Sequence, residues 1–188
     1  NGFAYTLLPQ YSPIASYSME IKPNDWLKRN LTNKGKSNLP DSAAIFRLWL
    51  DHGRSVQNGN YGYAVYCGEG VPNNKMPFTV LRNDTLVQAV ASIDSKIIAA
   101  SFYCAGENIK IGKKEITVSE PCTLLIEQEE GEIIFSVADA RMDKTVKQIV
   151  INYDKQRVVV DMPQKERIGA VAVCKKTIEF FRKKQERY

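Results

Sequence analysis

The single histidine of the chain, His52, sits in Asp51-His52-Gly53 and is the side chain best suited to move a proton near neutral pH. No Ser, Cys or second acid stands at a spacing that implicates it. The residues alone therefore favour a strand-end histidine that caps a turn, with Gly53 supplying backbone freedom. Tyr61, Tyr63 and Tyr66 offer phenols for proton donation and rings for stacking on sugars, although strand aromatics more commonly pair with each other. Trp49 lies in an apolar run and reads as core, whereas Trp26 lies in a polar stretch and reads as an exposed contact. Trp26, Tyr61, Tyr63 and Arg54 are the candidate carbohydrate contacts, and no residue is assigned to catalysis.

Metal and cofactor chemistry finds no support in the spacing. Cys67, Cys104, Cys122 and Cys174 fit no metal motif, and each sits among apolar neighbours where Cys acts as a small hydrophobe. Buried free thiols are the expectation. Glu127, Glu129, Glu130 and Glu132 straddle Gly131 without the spacing of a calcium loop, as solvated charges of a hairpin turn do. No cofactor and no metal are expected. The sequons at Asn30 and Asn83 carry weight only in a secreted protein.

The net charge of +5 is unevenly placed: residues 1–163 carry 18 basic and 18 acidic side chains, and 164–188 carry eight basic and three acidic. Field strength follows position, so the body of the chain has no global attraction for a polyanion, and nucleic acid is not an expected partner. Lys175, Lys176, Arg182, Lys183, Lys184 and Arg187 suit a sulfated glycan, but a solvated tail is the simpler reading. No apolar run reaches the roughly 18 residues that cross a bilayer. The chain opens on Asn1-Gly2-Phe3 with neither an initiator Met nor a signal pattern, which reads as a fragment of a longer polypeptide.

Strand signals dominate the elements that must hold these residues. Short β-like runs fall at 3–8 and 16–21, a polar loop at 25–38, and an apolar strand suited to burial on both faces at 43–51. Asn58-Gly59-Asn60 supplies turn residues, so 44–51 and 60–67 read as a β-hairpin with Tyr61, Tyr63, Val65 and Cys67 on one face. Beyond Met76-Pro77 come regularly spaced strands at 78–82, 87–92, 97–103, 114–118, 122–127, 132–138, 145–152 and 157–161, with turns such as 105–108 and 153–156 between them. A final strand and tail follow from Cys174. Such spacing predicts an all-β, antiparallel β-sandwich. The expected division is 1–77, 78–163, and 164–188 as the final strand and basic tail.

Several stretches, in order, resemble one family. Asn1-Gly2-Phe3-Ala4-Tyr5 is similar to its Asn-Gly-x-x-Tyr strand, and Asp25–Asn30 to its tryptophan loop. Leu48–Gly53 with Tyr61-Gly62-Tyr63 resembles its "Trp-x-x-Asp-His-Gly … Tyr-x-Tyr" pattern, and Asn83–Val90 its "Asn-x-x-x-x-Gln-Ala-Val" opening. Val137-Ala138-Asp139-Ala140 resembles its "Ala-Asp-Pro-Thr" segment, with Ala140 in place of the proline. The family is polysaccharide lyase family 8, whose members cut chondroitin, hyaluronan and xanthan, and the pattern is most like the chondroitin ABC type.

The resemblance implies the end of a large central sandwich followed by a smaller carboxy-terminal one. It also implies a secreted or periplasmic parent that cleaves glycosaminoglycans by β-elimination. In that family an Asn, a His, a Tyr and an Arg act from an α/α toroid, helped by a Glu of the central sandwich. None of those positions maps here, and His52 is not the family's catalytic histidine. The implied partners are the polysaccharide, met through the parent enzyme, and the toroid of the same polypeptide, with no membrane partner. The competing expectation is an autonomous carbohydrate-binding sandwich.

Overall fold

The computed structural model describes residues 2–8, 10–11, 14–24, 41–68 and 76–177. The chain forms two compact units, Asn1–Pro72 and Asn73–Tyr188.

The first unit is built from two antiparallel ribbons. β1 (Gly2–Leu7) pairs with β4 (Tyr63–Gly68), setting Tyr5 opposite Val65. β2 (Ile14–Asn24) pairs with β3 (Asp41–Asp51), setting Met19 opposite Phe46. The expected hairpin between 44–51 and 60–67 does not form. Those two strands belong to different ribbons, and the connection between them, all exposed from His52 to Tyr61, is too long for a two-residue turn.

Alternation gives each ribbon one apolar face. By register, Phe3, Tyr5, Leu7, Tyr63, Val65 and Cys67 share a face of the first ribbon, and Tyr17, Met19, Ile21, Phe46, Leu48 and Leu50 a face of the second. Very little of this surface is covered, since Leu8 alone is buried among the described residues of the unit. The 43–51 strand is therefore not buried on both faces, and Trp49 is 45% exposed rather than core. Just before β4, the backbone is closely covered at Gly62, where a Cβ would come within 2.9 Å of Leu8 Cδ1.

The second unit is a filled sandwich. β5 (Phe78–Asn83), β6 (Val87–Ser92), β7 (Ile97–Phe102), β10 (Cys122–Glu129), β11 (Glu132–Ala138) and β14 (Ala172–Thr177) make a six-stranded sheet in the order β14-β11-β10-β7-β6-β5. β8 (Asn108–Ile111), β9 (Lys114–Val118), β12 (Gln148–Tyr153) and β13 (Gln156–Asp161) make a four-stranded sheet in the order β13-β12-β9-β8. Every second residue points inward, as alternation requires. Val87, Ala89 and Ala91, then Ile98, Ala100 and Phe102, meet Ile149, Ile151, Val158 and Val160 in one core. Phe135 stands edge-on to Tyr153 with ring centroids 5.7 Å apart. Each fully buried aliphatic contributes roughly 1.5–3 kcal/mol, so this unit carries the main apolar stabilisation of the described chain.

Sequence and structure differ in other places. β8 falls where the sequence reads as irregular chain after the 105–108 turn, and β12 starts at Gln148 because Asp143 holds Thr145 in a turn through its backbone N–H and hydroxyl. β14 starts at Ala172, two residues before the expected Cys174. The Glu129–Glu132 turn around Gly131 is the expected hairpin turn between β10 and β11. The cysteines are all unpaired, but burial holds only for Cys122; Cys67 is exposed, and Cys104 and Cys174 are partly covered. The 25–38 loop and the tail beyond Thr177 lie outside the described residues.

Candidate functional site

The candidate carbohydrate contacts converge only in part. Tyr61 and Tyr63 lie close, with ring centroids 6.4 Å apart and planes 14° from parallel, and they are 57% and 51% exposed. Tyr5 continues the row, 6.4 Å from Tyr63. Tyr5, Leu7 and Tyr63 from one ribbon and Phe46, Leu48, Trp49 and Leu50 from the other border a cavity of about 340 Å³. Arg54 is exposed in the 52–61 connection and, among the described residues, makes no ion pair. Trp26 lies outside the described residues. Among the described residues, the assembled group is therefore an aromatic and aliphatic lining that Arg54 does not join.

His52 is shaped by packing. Its ring stands edge-on to Tyr61 at 6.1 Å, and a Cβ on Gly59 would meet its Nδ1 at 3.1 Å, so the connection folds back on the imidazole. Gly53, in the left-handed region at φ +77°, donates its N–H to the Asp51 carboxylate at 2.8 Å. These contacts describe a capped turn. Among the described residues no hydrogen bond joins the ring to a nucleophile, and no cluster of three or more His, Cys, Asp or Glu side chains could hold a metal ion.

Two motif stretches of the second unit resolve into turns held by a carboxylate. Asp84 accepts the backbone N–H groups of Leu86 and Val87 at 2.8 Å and the Arg82 Nε. The Arg82 guanidinium, followed by the Val87 amide, holds the Asp84 carboxyl below the ordinary carboxylate range. Arg82 also reaches Glu107 at 2.8 Å and the Asn108 carbonyl at 2.9 Å, so one guanidinium ties β5 to the start of β8. Asp139, buried, accepts the Arg141 N–H and Nε, each at 3.0 Å, and the Asp143 N–H at 3.1 Å. Sequence reasoning did not single out Arg82 or Arg141. Their signal in the sequence is a charged residue two positions from an Asp in turn context, which is common enough to pass unnoticed.

With this geometry in place, known proteins give a frame for it. Residues 79–148 match the model of the polysaccharide lyase family 8 C-terminal β-sandwich domain. Chondroitinase-AC of Pedobacter heparinus is 28% identical over 169 residues, covering 85% of this chain and 24% of that protein. The chain thus spans about a quarter of that relative's length.

Among solved structures, a chondroitinase AC lyase whose active site was revealed with oligosaccharide complexes superposes with a TM-score of 0.71 at 24% identity, covering 92% of this chain and 28% of the other. A chondroitin AC lyase of Streptomyces coelicolor superposes at 0.67 with 17% identity, over 92% of this chain and 25% of the other. A Paenibacillus xanthan lyase does so at 0.60 with 18% identity, over 94% and 17%. At these identities the structural likeness shows the fold. The chondroitinases found are of the AC type, where the expectation from the sequence is the ABC type. The stretch 79–148 thus carries the C-terminal β-sandwich domain of polysaccharide lyase family 8, and the chain as a whole shares the all-β fold of the solved lyases that it resembles.

Proposed function

We propose that this chain is the non-catalytic, carboxy-terminal sandwich portion of a secreted or periplasmic lyase that depolymerises uronate-containing glycosaminoglycans by β-elimination. Its role is to complete a larger central sandwich and to brace the domain that carries the chemistry. The observation that carries this reading is the contrast between the two units. The second has a closed core, whereas the first presents Tyr17, Met19, Ile21 and Phe46 along one face of a ribbon with little of that face covered. An apolar face of that extent marks a surface made to be covered. The span of about a quarter of the chondroitinase-AC relative agrees with it. β-Elimination needs a charge-neutralising group and a positioned acid–base pair, and His52 in its capped turn is not arranged as either.

A second reading, an autonomous carbohydrate-binding module, draws on the near-parallel pair Tyr61 and Tyr63. Tyr63, however, shares its face with Leu7 and Val65, as a packing residue does. The test is absorbance at the unsaturated-uronate band, with this chain and its full-length parent each given chondroitin sulfate and hyaluronan. Activity in the parent alone is the expected result. Turnover by the isolated chain would overturn the non-catalytic assignment and turn attention to His52 and the tyrosines.

A further inference from the structure

Outside the aromatic face, the second unit holds a cleft between β13, the edge strand of the four-stranded sheet, and β14, the edge strand of the six-stranded sheet. Its volume of about 640 Å³ is in the range of small-ligand sites. Arg167, carried on a short 3-10 turn (Lys165–Arg167), lines it together with Lys175 of β14. Val171 and Val173, 54% and 60% exposed, give it an apolar strip. Gln164 is fixed in the lining by its amide, which donates to the Val146 and Met162 carbonyls at 3.1 Å each. Among the described residues Arg167 makes no ion pair, and Lys175 has only an exposed contact to Glu132 at 3.4 Å.

Charge in this unit is segregated. Residues 76–161 carry ten basic and thirteen acidic side chains, whereas 162–177 carry four basic and one acidic. The excess of positive charge in the described part of the unit therefore lies on the segment that borders the cleft, while Asp161 of β13, which also lines it, accepts from the Gln148 amide at 2.8 Å.

We propose that this cleft is a binding subsite for an anionic glycan. Arg167 and Lys175 meet its sulfate or carboxylate groups, and the Val171–Val173 strip takes an apolar sugar face. A guanidinium on the 3-10 turn and an ammonium on β14 suit a ligand with repeating charge, and an apolar strip suits pyranose C–H groups better than a fully polar peptide. The choice of glycan as the polyanion rests on the lyase reading above.

The probe is a chondroitin sulfate hexasaccharide titrated calorimetrically into the 188-residue chain and into the Arg167→Ala/Lys175→Ala double variant. Saturable binding is expected, weakening at least about tenfold in the double variant and with added salt. Both side chains are exposed, and circular dichroism verifies that the variant stays folded. Absence of saturable binding, or binding unchanged in the variant, overturns the subsite. Equal competition by an oligoglutamate of matched charge overturns the glycan assignment in favour of an acidic peptide. Binding by the chain beside a parent inert on glycosaminoglycans overturns the lyase reading and leaves the cleft standing; an active parent beside a chain that does not bind does the reverse.

Discussion

Removing the Asp139 carboxylate is expected to unfold the second unit far more readily than its place in a connecting turn suggests. The carboxylate is buried and accepts from the backbone N–H groups of Arg141 and Asp143 and from Arg141 Nε, while Met142 between them sits at φ +56°. In Asp139→Ala two amides lose a charged acceptor, each such bond being worth roughly 1.5–3 kcal/mol. Arg141 loses an ion pair that, at 42% side-chain exposure, adds about 0–1 kcal/mol. Partial access of water to the freed amides offsets some of this, leaving about 2–4 kcal/mol. For a unit of this size that corresponds to a fall in Tm on the order of 10–20 °C. Asp139→Asn keeps one acceptor oxygen and should lose about half as much. The assay is thermal unfolding followed by calorimetry and urea unfolding followed by far-UV circular dichroism, because both tryptophans, Trp26 and Trp49, and six of the nine tyrosines lie in the first unit and report on it instead. A loss below about 0.5 kcal/mol in Asp139→Ala would refute the view that this carboxylate organises the turn.

Three further expectations follow from the same geometry. Amides of β1–β4 should exchange with solvent orders of magnitude faster than those of β7, β10 and β11, because Leu8 is the sole buried hydrophobic described in the first unit; comparable protection in mass-spectrometric exchange would contradict this. Burial, with a smaller push from the Asp139 charge, raises the Cys122 thiol to about 12, so at pH 8 a disulfide reagent should label exposed Cys67 quickly and Cys122 only on unfolding. Equal labelling rates would refute it. The Asp84 carboxyl is held below its ordinary value of 3.8, so its contribution is present above that pH and is lost as pH falls through the lower folded value. The urea midpoint should hold steady between pH 7 and 5 and drop below about pH 4, with a shallower drop in Asp84→Asn; identical acid profiles would exclude a role for this carboxylate.

Much of the second unit was legible because each strand has one wet and one dry face. Val87-Gln88-Ala89-Val90-Ala91 alternates as written and is buried at 87, 89 and 91. β8 escaped notice because four residues, Asn108-Ile109-Lys110-Ile111, are too few to display a period against the neighbouring Gly106 and Gly112. Strand pairing in the first unit was not legible. Asn58-Gly59-Asn60 has the chemistry of a tight turn, but turn chemistry says how a chain can bend and not which strand it will bond, so β3 found β2 and β4 found β1. Trp49 misled for a related reason: an apolar run announces a strand that seeks cover, without saying that the cover lies within the same segment. Tyr61 and Tyr63 were correctly brought together by their spacing, whereas the placement of Arg54 and of the cleft residue Arg167 depends on tertiary packing that local patterns do not encode.

The nested pairing of the first unit also sets an order of events. β1 joins Gly2 to Gly68, enclosing the β2–β3 ribbon, which itself joins Ile14 to Asp51. Neither ribbon can close until a long stretch of chain has been brought round, and the loop entropy is lost before any pairing repays it. In the second unit the β10–β11 and β12–β13 hairpins close through short turns at Glu129–Glu132 and Tyr153–Gln156. During synthesis β1 therefore waits unpaired until β4 has emerged. The unit made later, with its local hairpins, is the one able to fold quickly, so the order in which the two units mature need not follow the order in which they are made.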